Sequence, residues 1–276
     1  MLQKRILTAV VLVLVLVLSL AWSPLAFDAV LALAAGAALF EWLRLAQLSD
    51  RTTIPAGALF GLVLFAIEIV APARVPTAAV ALGAVALAGW IAVAAVLVRA
   101  QGPGVRLRRP WLVVAALLFL TSTWFAIQDL LSSSATELLS AMAIVWLADI
   151  AAYFFGRTFG RSKLAPKISP GKTWAGAWGA LATVIVVAFV AHAGWPGAPL
   201  ASNRIIEAAG SPAAVLLLAL LVAASIVGDL FESLLKRQAG VKDSSGLLPG
   251  HGGVLDRIDA LLPVLPLVVL IVHGHG

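Results

Sequence analysis

A chain of 276 residues that is 62% hydrophobic and only 12% charged, with a mean hydropathy of +1.06, is far from soluble globular domains, in which about a quarter of the residues are charged. It reads as an integral membrane protein. The formal charge of +6 does not argue for nucleic acid, because the basic residues sit in short loops between apolar runs, where they set topology and meet anionic headgroups; the absence of cysteine excludes disulfides, thiolate metal sites and a cysteine nucleophile.

Apolar runs bounded by charge, proline or glycine fall near 6–22, 25–43, 54–71, 76–98, 110–127, 138–155, 174–194, 212–235 and 254–272. Lipid offers no partner for free backbone groups, and nothing here alternates with a period of two, so these runs predict helices. The run opening after Lys4-Arg5 is at the long end of a signal-peptide core, about 7 to 15 residues, and reads as an uncleaved first span. With the N-terminus inside, seventeen of the nineteen Lys and Arg residues fall on the inner side and only Arg74 and Arg204 outside, a heavy positive-inside bias. The expected fold is all-α and polytopic, with about nine transmembrane helices, N-terminus inside and C-terminus outside, in the cell (inner) membrane. Residues 1–137 would carry five spans, and residues 138–276 four spans with the cytoplasmic loops 156–173 and 236–253.

The outer loops are short and weakly charged, so no external domain is expected. Gly57-xxx-Gly61 and Gly156-xxx-Gly160 have the spacing of closely packed helices, but among 23 glycines such spacing arises by chance and does not argue for a dimer. Most of the nine tryptophans lie near span ends and read as interfacial anchors. His192, His273 and His275 fall on the outer side, facing solvent or the interface. Glu68, within the third span, has no reading.

Chemistry concentrates at the inner end of the last two spans. Ser225, Asp229, Glu232 and Lys236 are spaced by four, three and four, which puts them on one stripe of the eighth span. Asp256 and Asp259 lie one turn apart at the start of the ninth, across loop 236–253, so two helices can aim carboxylates at one point. Ionisable groups at membrane depth must pair, bind ions or line a wet cavity. Hard oxygen ligands arranged in this way suit Mg²⁺, which takes one or two carboxylates together with substrate phosphates. The plainer reading is that Glu232–Lys236 and Asp256–Arg257 are ordinary ion pairs. Between the two spans, Gly240 to Gly253 supplies glycines, the hydroxyls of Ser244 and Ser245, and a helix start, the ingredients of an anion site; a flexible connector has the same composition.

The second inner segment runs from Asp149 and Tyr153 through Arg157, Arg161, Lys163 and Lys167 to Ser169-Pro170-Gly171-Lys172-Thr173. Its basic side chains match polyanions, although a topogenic loop has the same charge. Gly171-Lys172-Thr173 looks like the end of a Walker A loop, but that motif requires glycine where Pro166 stands and follows a strand, which a helix bundle is not expected to have.

The run Ser233-x-Leu235-Lys236-Arg237, Lys242-Asp243-x-Ser245, Leu248-Pro249-x-His251-Gly252-Gly253 and Asp256-Arg257-x-Asp259 resembles the signature of the phosphatidate cytidylyltransferases (CDP-diacylglycerol synthases). Asp149 through Ile168-Ser169-Pro170-Gly171-Lys172-Thr173 resembles that family's other characteristic region, so the motifs cover roughly 149–260. Ala175 departs from it, where many relatives carry a polar residue. The resemblance implies a membrane nucleotidyltransferase of phospholipid biosynthesis that converts CTP and phosphatidate to CDP-diacylglycerol and pyrophosphate. It also implies Mg²⁺ on Asp229 and Asp256, a monovalent cation such as K⁺ nearby, and a homodimer.

On this reading Asp259 and Glu232 support the metal site, Glu232 as a third ligand, while Lys236, Arg237, Lys242, Lys167 and Lys172 hold phosphates beside Asp243. Asp149, Tyr153, Arg157, Lys163, Ser169, Thr173, His251, Gly252, Gly253 and Arg257 complete the substrate-binding set. The active site would face the cytoplasm. Two other readings compete: a related lipid nucleotidyltransferase or kinase with another acceptor, and an ion- or proton-coupled transporter using Asp149, Asp229 and Glu232 as a relay. The second needs carboxylates spread through the membrane depth, whereas these cluster at inner span ends.

Overall fold

The computed structural model describes residues 2–71, 75–100 and 105–274, with side chains except at 2–7, 9, 12 and 13; Arg74 and His275 lie outside the described residues. The helices are α1 (Leu2–Trp22), α2 (Pro24–Leu45), α3 (Asp50–Val70), α4 (Val75–Ala100), α5 (Arg109–Ser133) and α6 (Ala135–Phe159). After a hairpin of β1 (Lys163–Ala165) and β2 (Ser169–Thr173) come α7 (Trp174–Gly194), α8 (Ala201–Ala209), α9 (Ser211–Ala239), α10 (Leu255–Ile258) and α11 (Leu261–His273). Among the described residues seven helices, α2 to α7 and α9, are long and apolar enough to cross a membrane.

Local chemistry sets the boundaries. Ser23 accepts a hydrogen bond from the Ala26 N–H at 3.1 Å and Pro24 opens α2, a capped start with proline where no donor is missed. Ser134 caps α6 through the Glu137 N–H at 3.0 Å. Gly240, at φ 73°, ends α9 in the left-handed conformation that glycine adopts without strain.

The expected ninth span is broken. Residues 254–272 form α10, a turn at Asp259–Ala260, and α11 of 13 residues. At about 1.5 Å per residue α11 is shorter than the roughly 30 Å of a bilayer core. It is buried along nearly its whole length, packed against α4, α5 and α9, so protein rather than lipid surrounds it. Both small-residue pairs are used inside the chain: a Cβ on Gly57 would sit 2.5 Å from the Gly36 carbonyl oxygen, one on Gly61 2.6 Å from that of Ala32, and one on Gly156 3.0 Å from Thr173 Oγ1. These glycines let α2 meet α3, and α6 meet the start of α7.

Two sequence readings are corrected, the absence of a strand and the placement of three tryptophans, and two more are given partners. A strand pair exists in the inner segment, so Gly171-Lys172-Thr173 does follow and end a strand; Pro166 remains the reason it is no Walker A loop. The connection between α7 and α9 contains α8, held by Arg204, which donates to both Glu137 carboxylate oxygens at 2.6 and 2.7 Å. Trp42, Trp90 and Trp124 are core residues rather than interfacial anchors. His273 is exposed, as expected, and its Nε2 lies 2.8 Å from the Asp129 carboxylate, which ties the far ends of α5 and α11 together, at the end of the bundle opposite α10.

Candidate functional site

Helix α9 carries the expected stripe. Ser225 and Glu232 are buried, Asp229 and Lys236 half-buried, and the periodicity that grouped them in sequence groups them in space. The Lys236 ammonium bridges the Glu232 carboxylate and Asp256 Oδ1, the latter at 2.7 Å. One turn away, Asp229 Oδ2 is paired with Lys172 Nζ at 2.6 Å, and its Oδ1 accepts from Ser233 Oγ at 3.3 Å.

Lys172 reaches this stripe because the hairpin delivers it. The strands pair antiparallel, Ala165 and Ile168 are buried beneath them, and the Thr173 hydroxyl caps α7 by accepting the Gly176 N–H at 3.1 Å. Arg237 Nε donates to the Ile168 carbonyl at 3.4 Å, so α9 also grips the hairpin. An aromatic cluster braces α9 from behind: Phe231 lies 5.7 Å from Trp42 and 5.8 Å from Trp90, ring centre to ring centre, and Trp90 stacks on Phe119 at 4.0 Å.

Asp256 organises the loop before it. Its Oδ2 accepts from the Ser244 N–H at 2.9 Å, the Ser244 hydroxyl at 2.7 Å and the Gly253 N–H at 2.8 Å. With the Lys236 ammonium on Oδ1, the carboxylate has four donors around it. The ion pair of Asp256 is with Lys236 and not with Arg257. Gly252 has φ +81°, and its carbonyl accepts from the Leu248 N–H at 2.8 Å, so the loop closes on a turn that a side chain would strain.

Two hollows with ionisable side chains in their walls adjoin this centre. One of about 230 Å³ is lined by Asp149, Tyr153, Lys172, Thr173, Ser225 and Asp229; the other, about 570 Å³, by Lys242, Asp243, Ser245, His251, Gly252 and Arg257. Arg257 is within electrostatic range of Asp149, so the hollows face one region. The basic set divides: Lys172 and Lys236 are drawn into the centre, whereas Arg157, Lys163, Lys167, Arg237, Lys242 and Arg257 stay exposed on the rim. Arg157 donates to the Tyr153 hydroxyl at 2.7 Å. Ser169 is half-buried within β2.

Among the described residues no three Asp, Glu or His side chains converge as a ready metal cage. The donors nonetheless fit a hard cation. Glu232 Oε1 is buried without a partner, and Asp259 lies within electrostatic range of both Asp229 and Glu232. A cation that brings phosphate oxygens and water with it needs only one or two of these carboxylates.

Sequence reasoning missed three supporting residues. Gly228 lets α10 and α11 approach: a Cβ there would collide with the Asp259 carbonyl oxygen and lie 3.0 Å from the Pro263 ring. A glycine one residue before a membrane-depth aspartate was the available signal. Gln238 joins α9 to the segment before α5, accepting from the Leu107 N–H at 2.9 Å and donating to its carbonyl at 2.8 Å. Glu41, on α2, lies under the 244–255 segment; an acid between Phe40 and Trp42 in an apolar run was a signal too. Gly228→Val is expected to cut activity about 10²-fold by displacing Asp259 from Asp229 and to lower the unfolding midpoint, overpacking costing about 1–3 kcal/mol; turnover and thermal unfolding in detergent measure the two effects.

A model of the cytidylyltransferase family matches residues 3–274. The phosphatidate cytidylyltransferase of Pseudomonas aeruginosa is 38% identical over 288 aligned residues, which cover 100% of this chain and 98% of that protein. That of Haemophilus influenzae is 48% identical over 130 residues, 47% of this chain and 43% of the relative, and that of Brucella suis 46% identical over 135 residues, 49% and 46%. The chain thus aligns with less than half the length of the latter two. Because the family match runs almost from one end of the sequence to the other and a relative aligns at 38% identity along the whole of it, the chain belongs to the cytidylyltransferase family.

Proposed function

We propose that this protein transfers the cytidylyl group of CTP to phosphatidate, forming CDP-diacylglycerol and pyrophosphate in phospholipid biosynthesis. The observation that carries this reading is the cation–carboxylate cluster Lys172–Asp229 and Lys236–Asp256 at the inner end of α9, in a chain that aligns along its whole length with a phosphatidate cytidylyltransferase. A phosphate oxygen of phosphatidate attacks the α-phosphorus of CTP, the bond from that phosphorus to the bridging oxygen breaks, and its electron pair leaves with pyrophosphate. The nucleophile is already anionic at neutral pH, so no strong general base is required.

The obstacle is repulsion between two polyanions, and catalysis is chiefly alignment and neutralisation. Lys172 and Lys236 are held by carboxylates before substrate arrives, so their cost of ordering is met in folding. The exposed rim of Lys163, Lys167, Arg237, Lys242 and Arg257 raises the local concentration of CTP, and the Gly-rich loop offers backbone N–H groups to phosphate. Mg²⁺, when bound, would be held by Asp229 and the free face of Asp256 Oδ1 with Glu232 and Asp259 in support, a monovalent cation such as K⁺ beside it, and would neutralise phosphate charge.

In the same reading α1 and the α10–α11 unit complete nine spans, the N-terminus and the site face the cytoplasm, the C-terminus lies outside, and the enzyme is a homodimer. The distribution of seventeen basic residues against two supports the orientation. Incubating the purified protein with labelled CTP and a panel of lipids is expected to give a CDP-lipid and pyrophosphate with phosphatidate alone, and nothing after chelation of Mg²⁺. Transfer of the γ-phosphate would overturn the reaction type, and ion-dependent solute uptake by vesicles without CTP consumption would point to a transporter.

A further inference from the structure

We infer that Glu41 is a positioning residue for this reaction, fixing the active-site loop from a helix far away in sequence; the inference rests on the function proposed above. Glu41 lies near the end of α2 and is fully buried. Its two carboxylate oxygens accept four hydrogen bonds, all from one segment. The Ser245 hydroxyl and the Val254 N–H reach Oε1 at 2.5 and 3.0 Å, and the Leu255 N–H and the Ser244 hydroxyl reach Oε2 at 2.7 and 3.1 Å. A side chain with two oxygens and no donor matches four donors, and neither a neutral amide nor a hydroxyl can.

The placement of these donors gives the carboxylate its role. Ser244 and Ser245 follow Lys242 and Asp243, which line the larger hollow, and Val254 and Leu255 immediately precede Asp256. Glu41 therefore pins both sides of the loop at once, and the Ser244 hydroxyl lies between its carboxylate and that of Asp256, 3.1 and 2.7 Å away. That hydroxyl has a single hydrogen, which the two carboxylates share in a three-centre bond weighted toward the nearer Asp256 oxygen. The glycine beside this contact has no room for a side chain: a Cβ on Gly253 would collide with Ser244 Oγ and Glu41 Oε1. Trp42, the next residue, sits in the aromatic cluster behind α9, so one turn of α2 braces the loop and the helix that face each other across the site. Glu41 pairs with none of the cations assigned to phosphate and with none of the carboxylates assigned to metal; it takes up the Ser244 and Ser245 hydroxyls and the helix-start N–H groups itself, and so acts through Asp256 and the loop.

Steady-state kinetics of the full-length protein with CTP and phosphatidate, alongside thermal unfolding in the same detergent, tests this. Glu41→Gln turns an N–H₂ group toward backbone donors and is expected to lower kcat about 10²-fold, the scale of a displacement near 1 Å, with KM for CTP within about threefold because every phosphate-facing cation remains. Glu41→Asp keeps an acceptor-only carboxylate on a shorter stem and is expected to recover kcat only in part, to between about a tenth and about a fifth of wild type, a graded rescue that a merely structural loss would not reproduce. A Glu41→Gln protein with kcat within twofold of wild type overturns the inference, as does a fall in unfolding midpoint with unchanged kcat per folded molecule. If Glu41→Gln does not fold, Glu41→Asp decides alone: a kcat lowered at least fivefold with KM unchanged supports positioning, and a kcat within twofold of wild type refutes it. If the wild-type protein makes no CDP-lipid, the proposed function fails instead, before any variant is compared.

Discussion

Asp229→Asn is expected to abolish CDP-diacylglycerol formation, by about 10³-fold, in a protein that still folds. The carboxylate is half-buried and holds Lys172 at 2.6 Å; in the proposed function it is also a metal ligand. Removing its charge takes away the group that orients one of the two central cations and the oxygen offered to Mg²⁺. The fold survives because the Lys172 ammonium is not stranded: Asp149 and Asp259 both lie within electrostatic range of it. The stability lost should be close to that of a partly exposed pair, at most about 1 kcal/mol. Turnover with Mg²⁺ and the unfolding midpoint are the two measurements, and retention of a tenth of wild-type activity would remove Asp229 from the metal site.

Asp256 should behave differently, because it has a structural role as well as a charge. Asp256→Asn can leave its oxygen facing the Ser244 and Gly253 donors, but turns an amide N–H₂ toward Lys236; activity is expected to be lost with a moderate fall in stability. Asp256→Ala leaves the Ser244 and Gly253 N–H groups without an acceptor, while Lys236 keeps Glu232 and the Ser244 hydroxyl can turn to Glu41. Stranding buried donors costs about 1–3 kcal/mol each, and the variant is expected to melt well below wild type.

The ionisable half of α9 was legible because helical periodicity is a local property. Spacings of four, three and four at Ser225, Asp229, Glu232 and Lys236 fix a common face whatever the rest of the chain does. The adjacency of loop 236–253 to Asp256 was legible as well, since both follow directly in sequence. The hairpin was not: a segment with Pro166, Pro170 and Gly171 reads as a connector, and its pairing depends on burial of Ala165 and Ile168 beneath it and on the Arg237 contact from α9. The break at Asp259–Ala260 was hidden because a run of apolar residues looks alike whether lipid or protein surrounds it.

Hydropathy and charge placement, each a sum over short windows, determined that this is a membrane-embedded helical protein whose ionisable groups gather around one end of α9 and the segment that follows it. Tertiary structure alone decided which cation pairs with which carboxylate. The Lys172–Asp229 pair joins residues far apart in the chain, and Ser244 meets Glu41 across 203 positions. No local pattern encodes such partners, because the energy that selects them exists only once packing has excluded water from between them.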